Sequence, residues 1–186
     1  MRVISGTAKG RKLKMVPGSA TRPITDRVKE NLFNLVRDDL VGTRWLDLFA
    51  GTGQVGIEAL SRGAASVVFL DTAIQAVRIL HENLRATNLA ERAVVRKADA
   101  FAYLRHGAAD LFDVIYVAPP QYRQLWLKAL EIIDAQPDKL LRPDGLVVVQ
   151  IHPKEYQEIP WQRLHLTDQR QYGATMLCFY RLLPPS

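Results

Sequence analysis

Two stretches of this 186-residue chain carry residues whose types and spacing could do chemistry. The first, L-D-L-F-A-G-T-G-Q-V-G (residues 46–56), places Gly51, Gly53 and Gly56 in a G-x-G-x-x-G pattern between a strand-like run and a helix-like run. Such a loop lets the backbone come close to a nucleoside cofactor. Asp71, 20 residues after Gly51, ends the next apolar run and suits a pair of ribose hydroxyls. Taken alone, these features are also a nicotinamide fingerprint or a tight strand-to-helix turn. Asp47 argues against a dinucleotide, because a carboxylate beside the loop repels a pyrophosphate and attracts an ammonium. Asp99, at the end of a third strand-like run, can accept from an adenine amine or simply cap the helix that follows. An ammonium, a ribose and an adenine together describe S-adenosylmethionine.

The second stretch is V-A-P-P-Q-Y, residues 117–122. It follows F-D-V-I-Y, and two prolines cannot continue a central strand because they bring no N–H to the ladder. The chain therefore leaves the sheet at a stiff corner whose backbone groups are carbonyl acceptors. An exocyclic amine of a nucleobase is a poor nucleophile with its lone pair delocalised into the ring. A catalyst must hold it in line with a methyl donor and accept hydrogen bonds from its N–H groups. Proline-fixed carbonyls with an aromatic nearby fit a base splayed out of its stack.

The elements that must position these residues follow from periodicity. Alternating strand and helix patterns begin at residue 44. Strands are expected at 45–49, 66–70, 93–97, 112–117 and 145–151, with helices at 55–62, along 73–84, at 100–104 and at 125–133. Repeated βα units with short links predict a Rossmann-like, mostly parallel doubly wound sheet. The tail (163–170 and 175–181) has no intervening helix and predicts an antiparallel strand pair at one edge. Upstream, R-V-I-S and K-L-K-M-V read as a small β-hairpin, and Thr25 or Asp26 caps a helix whose apolar stripe is Val28, Leu32, Leu35 and Val36.

Charge is concentrated at the front. Residues 1–40 hold nine basic side chains against four acidic ones, nearly the whole of the net +6. A basic segment on a neutral body points to a polyanion, most simply nucleic acid. No apolar run approaches the roughly 20 residues that span a bilayer, and no signal segment is apparent, so the cytoplasm is the simplest address. The single cysteine, Cys178, lies in an apolar run and reads as a buried thiol. His81, His106, His152 and His165 are scattered and suggest no metal site.

The chain as a whole resembles the bacterial 16S ribosomal RNA guanine-N2 methyltransferases of RsmD type. R-V-I-S-G-x-x-K-G-R-K-L resembles their opening hairpin, and T-R-P-I-T-D-R-V-K-E-N-L-F-N (residues 21–34) resembles their most distinctive segment. The glycine loop with its helix, and Y-G-A-T-M-L-C-F-Y-R near the end, resemble two further family segments. The resemblance implies a class I S-adenosylmethionine-dependent methyltransferase that modifies one guanine of small-subunit ribosomal RNA. It implies cofactor contacts from Asp47, Phe49, Gly51, Gly53, Asp71 and Asp99, with Arg22 and Thr25 over the cofactor end. It implies RNA contacts from Lys9, Arg11, Lys12, Lys14 and Arg27. The expected division is a basic hairpin and loop at 1–24 and a methyltransferase domain at 25–186, acting as a monomer on ribosomal RNA or the small subunit, with neither membrane nor metal.

The chain departs from the family motif at its centre. Ala118 stands where the motif has Asp, and Gln121 stands where it has an aromatic residue, with Tyr122 one residue late. The expected catalytic group is thus Ala118, Pro119, Pro120, Gln121 and Tyr122. Three readings remain open: an active enzyme whose backbone or neighbouring side chains accept from the amine, a weak or inactive relative that binds RNA in ribosome assembly, and an enzyme whose substrate has changed.

Overall fold

The computed structural model describes residues 1–18 and 23–184. Twelve principal elements run in chain order: α1 (Asp26–Leu35), β1 (Arg44–Asp47), α2 (Gln54–Ser61), β2 (Ser66–Asp71), α3 (Ile74–Ala86), β3 (Ala93–Lys97), α4 (Ala100–His106), β4 (Phe112–Val117), α5 (Leu125–Ala135), β5 (Leu141–Ile151), β6 (Leu164–Tyr172) and β7 (Thr175–Leu182). The seven strands form one sheet in the order β3-β2-β1-β4-β5-β7-β6. The first five pair in parallel, while β7 pairs antiparallel with both β5 and β6. The order reverses at β1, so β1 and β4 flank the switch point at which open α/β sheets bind ligands beyond their carboxyl ends.

Alternate residues of each central strand face opposite layers, as a sheet covered on both sides requires. Trp45, Val67, Phe69, Val114 and Tyr116 pack with α1, α2 and α3 on one face. Leu46, Val68, Leu70, Ile115 and Val117 pack with α4 and α5 on the other. Trp126 is fully buried in this second layer, where its ring stacks on Tyr156. Cys178 is buried too, and burial pushes its thiol up to about 11.

The basic N-terminal segment forms the expected hairpin in shortened form: its two runs meet at one antiparallel bridge, Arg2 to Lys12, with the N–H groups of Val3 and Leu13 donating to the carbonyls of Arg11 and Met1, each at 3.0 Å. Its apolar residues Val3, Ala8 and Leu13 are buried in the first core layer. Its backbone is tied to α2 instead of to a long ladder. The Glu58 carboxylate accepts from the N–H groups of Ile4 (2.9 Å) and Ser5 (3.0 Å). Ser61 accepts from the Ala8 N–H (2.9 Å) through its hydroxyl and donates to the Ser5 carbonyl (2.6 Å). Gly6, at φ +85°, lies so close to α2 that a Cβ there would sit 1.9 Å from the Ser61 carbonyl oxygen.

Lys29, one of the nine basic side chains of residues 1–40, is fully buried. Its ammonium lies 3.5 Å from Glu58 and donates to the Arg2 carbonyl at 2.6 Å. Arg62 completes the cluster, 2.9 Å from Glu58. Burial lowers the Lys29 pKa, and the Glu58 carboxylate opposes that shift. A charge removed from water persists only when paired and hydrogen-bonded in this way. The cluster therefore staples the N-terminal segment, α1 and α2 into one body.

Candidate active site

A cleft of about 570 Å³ opens at the carboxyl ends of β1, β2 and β4. Its floor is the glycine loop. Gly51 (φ +55°) and Gly53 (φ +81°) hold the left-handed backbone that turns β1 into α2. A Cβ on Gly53 would meet Leu80 Cδ1 at 2.0 Å, so the loop lies flat against α3.

The three acids at strand ends all line this cleft, and the structure separates their duties. Asp47 is only 2% exposed. Desolvation dominates and, with the nearby Asp71 charge, raises its pKa to about 7, against the opposing pull of the backbone N–H groups of Gly56 and Phe49. Its Oδ1 is buried with no hydrogen-bond partner among the described residues. Asp71 accepts from the Gly51 N–H through Oδ2 and from the Ala73 N–H through Oδ1, each at 2.9 Å. It thus pins the glycine loop to β2 while keeping further lone pairs for a ligand. Asp99 caps α4, with Oδ1 accepting from the Ala102 N–H at 2.8 Å. The helix-cap role is thus present, and the side chain still lines the cleft.

Phe49 also lines the cleft, edge-on to Phe101 with ring centroids 6.0 Å apart. Met15, Val16, Pro17 and Gly18 close one wall, followed after the undescribed stretch by Pro23 and Ile24. Arg22 lies outside the described residues. Thr25 is not in the cleft wall; its hydroxyl caps α1 by accepting from the Val28 N–H at 3.3 Å.

The proline corner is only partly in the cleft. Ala118 and Pro120 line it, whereas Pro119 is buried behind them. Gln121 is exposed and Tyr122 is 63% exposed, both beyond the lining. Tyr122 takes φ +61°, a left-handed conformation uncommon for an aromatic residue. It is held there by its N–H bond to Glu155 (2.8 Å), with its ring 5.5 Å from His152.

Three lining residues carry no signal in the sequence: Tyr116, Arg123 and Gln150. Tyr116 and Gln150 sit in strand runs that read as core, and only strand register brings them together. The Tyr116 hydroxyl donates to Gln150 Oε1, and burial and the adjacent Asp47 push its pKa well above the usual tyrosine value.

Among the basic residues, Lys9, Arg11, Lys12, Lys14 and Arg27 are all exposed. Lys14 pairs with Glu82 of α3 at 2.6 Å. Its backbone is bound to the buried Asn83, whose Oδ1 accepts from the Lys14 N–H at 2.7 Å. The Asn83 amide donates in turn to the carbonyls of Lys14 (3.1 Å) and Thr52 (3.0 Å), the latter in the glycine loop. Among the described residues, no group of His, Cys, Asp and Glu could hold a metal, and no helix is long and apolar enough to cross a membrane.

A seven-stranded sheet with one antiparallel strand slotted beside β5, and acids at the ends of its first three strands, defines a Rossmann-like class I methyltransferase fold. The same fold occurs in an RNA methyltransferase from Salinibacter ruber solved with S-adenosyl-L-homocysteine (TM-score 0.69, 16% identity, 89% of this chain and 96% of that one). The family model described as "Conserved hypothetical protein 95" matches residues 1–181. The chain belongs to this family, that of the RsmD-type ribosomal RNA methyltransferases. It is 42% identical to the Bacillus subtilis protein named "Putative rRNA methyltransferase YlbH" over 97% of this chain and 98% of that one. It is 34% identical to the Haemophilus influenzae ribosomal RNA small subunit methyltransferase D over 81% of this chain and 78% of that one. Among solved structures it superposes on the Escherichia coli protein yhhF with a TM-score of 0.84, at 30% identity, covering 98% of both chains.

Proposed function

We propose that this chain transfers a methyl group from S-adenosylmethionine to the exocyclic N2 amine of a guanine in small-subunit ribosomal RNA, acting as a monomer in the cytoplasm. The observation that carries the cofactor is the orphaned, fully buried Oδ1 of Asp47 in the cleft wall. A buried carboxylate oxygen without a partner is costly unless a ligand supplies one, and the ammonium of an amino-acid cofactor is a suitable donor. Asp71 would bind the ribose hydroxyls, Asp99 the adenine amine, and Phe49 would pack against the cofactor. Arg22 and Thr25 are assigned to cofactor binding as well.

The cofactor supplies an electrophilic methyl carried on a sulfonium. The protein positions the amine and excludes water. Val16, Pro17 and Ile24 cover one wall with apolar surface, and Ala118 and Pro120 form the opposing corner. The carbonyls at Ala118 and Pro119 accept from the amine, and Pro120 fixes their direction. Tyr122, held out from the corner by Glu155, offers a ring on which a splayed base can stack, with Gln121 beside it. Residues 1–24 serve as the RNA-contacting extension on the methyltransferase domain 25–186. Lys9, Arg11, Lys12, Lys14 and Arg27 meet phosphates there.

Small-subunit particles lacking this modification, incubated with the protein and methyl-labelled S-adenosylmethionine, should yield one labelled N2-methylguanosine after nucleoside digestion. A protein that binds both cofactor and particle but transfers no label would refute the enzymatic reading and leave an RNA-binding assembly role.

A further inference from the structure

An amine held for methylation needs a directed acceptor, and the side chain at the proline corner, Ala118, has none. The neighbouring strand supplies one. β4 and β5 pair in parallel with Val117 opposite Val149, so Ala118 and Gln150 are the next positions along two neighbouring strands. Asp47 lies opposite Tyr116 in the β1–β4 register. Tyr116 and Val148 pack in the same core layer as Ala118, so positions 116, 118, 148 and 150 share one face of the sheet. Asp47, Tyr116 and Gln150 therefore form a polar row across three adjacent strand ends, and Ala118 is the small gap beside it. All four residues line the cleft.

The Tyr116 hydroxyl donates to Gln150 Oε1. An amide carbonyl carries two lone pairs, so this bond occupies one and fixes the direction of the other. The short side chain of Ala118 leaves room for a base edge to reach it.

We infer that Gln150, oriented by Tyr116, is the side-chain acceptor for the N–H of the target amine, in the role that Ala118 leaves unfilled. Gln150 is then a catalytic residue and Tyr116 a positioning residue. The inference rests on the methyl-transfer reading above. In the step, the amine lone pair forms the N–C bond as the C–S bond breaks and its electron pair passes to sulfur. The proton on the methylated nitrogen then leaves to solvent water. Gln150 stays neutral throughout, aligning the nitrogen without taking its proton.

The test is single-turnover methyl transfer to unmethylated small-subunit particles, with cofactor affinity and thermal stability measured on the same samples. Losing one neutral hydrogen bond in the transition state corresponds to about a tenfold slower step. Gln150→Leu should lower the rate about tenfold with cofactor affinity unchanged. Gln150→Glu, which keeps an acceptor, should lose clearly less than Gln150→Leu. Tyr116→Phe should slow transfer by a few fold, with RNA affinity unchanged. The deciding variant restores an acceptor next door: Ala118→Asp in the Gln150→Leu background should recover the lost rate. A purely structural Tyr116–Gln150 bond would lower stability and would not be rescued from position 118. If Gln150→Leu does not fold, Gln150→Glu decides, and a tenfold loss there with cofactor still bound overturns the inference. Transfer within twofold of the original by Gln150→Leu overturns it and leaves the function intact. No transfer by the unsubstituted protein overturns both.

Discussion

Asp47→Asn should change stability in a way that depends on pH, and the dependence follows from the burial of that carboxyl. In the unfolded chain the group titrates near its ordinary value of 3.8, whereas in the fold it holds its proton up to about 7. Between those values the folded state binds more protons than the unfolded state, so stability falls as pH rises across the window and is flat, for this group, above it. The slope approaches about 1.4 kcal/mol per pH unit, and the whole window amounts to something on the order of 4 kcal/mol. Asparagine does not titrate. The difference in unfolding free energy between variant and original, from urea titrations at pH 5, 6, 7 and 8, should move in favour of Asn by about 2 kcal/mol between pH 5 and 7 and then level off. Cofactor binding supplies the second reading. An ammonium against Oδ1 favours the carboxylate, so binding at pH 6 should release about 0.9 proton, measurable by calorimetry in buffers of different ionisation enthalpy. Asp47→Asn should bind at least tenfold more weakly and release none. A stability difference constant across pH, or binding without proton release, would refute the assignment of Asp47 as a buried, high-pKa carboxyl awaiting a cation.

Lys29→Met should cost on the order of 1–3 kcal/mol, because Glu58 loses one of its two cations and keeps Arg62, and hydrogen exchange at the Ile4 and Ser5 amides should rise well beyond the global loss. Gly6→Ala should also undock the N-terminal segment, since φ +85° and a Cβ 1.9 Å from the Ser61 carbonyl oxygen are both forbidden to it, and the same two amides report it. Replacing Lys9, Arg11 and Lys12 together by alanine should weaken RNA binding with cofactor affinity unchanged. The slope of log affinity against log salt should flatten by about 0.7–0.9 for each phosphate no longer neutralised. Asn83→Leu should weaken both ligands at once, because that one buried amide holds the backbone of Lys14 and the carbonyl of Thr52.

The βα alternation is legible because a parallel sheet covered on both faces writes itself as apolar runs separated by helical stripes, and the seven strands fall close to the expected ranges. The acids are legible for a related reason: Asp47, Asp71 and Asp99 are polar residues at the ends of apolar runs. Lys29 misleads because a lysine in an amphipathic helix looks solvated, and only the third dimension brings Glu58 to it from α2. The turn chemistry of the N-terminal segment makes its short hairpin legible, but not that the N–H groups of Ile4, Ser5 and Ala8 find side chains on α2. Gln150 is invisible for a stricter reason. Its importance comes from lying beside Ala118 across the sheet, 32 positions away in sequence, and no local pattern encodes that register.

The arrangement also explains why the charged segment and the catalytic fold form one body. An RNA-binding arm joined by a loose linker would place a base only through an entropy-costly search. Here the arm has no free joint to α2: Glu58 and Ser61 take its backbone at Ile4, Ser5 and Ala8, and Asn83 takes it again at Lys14. Met15 to Gly18, the residues that follow, are already cleft wall. In the function proposed here, phosphates met by Lys9 to Lys14 would sit at a fixed distance from the glycine loop, and non-specific ionic contact would be converted into orientation of one base for the proline corner and the proposed amide acceptor.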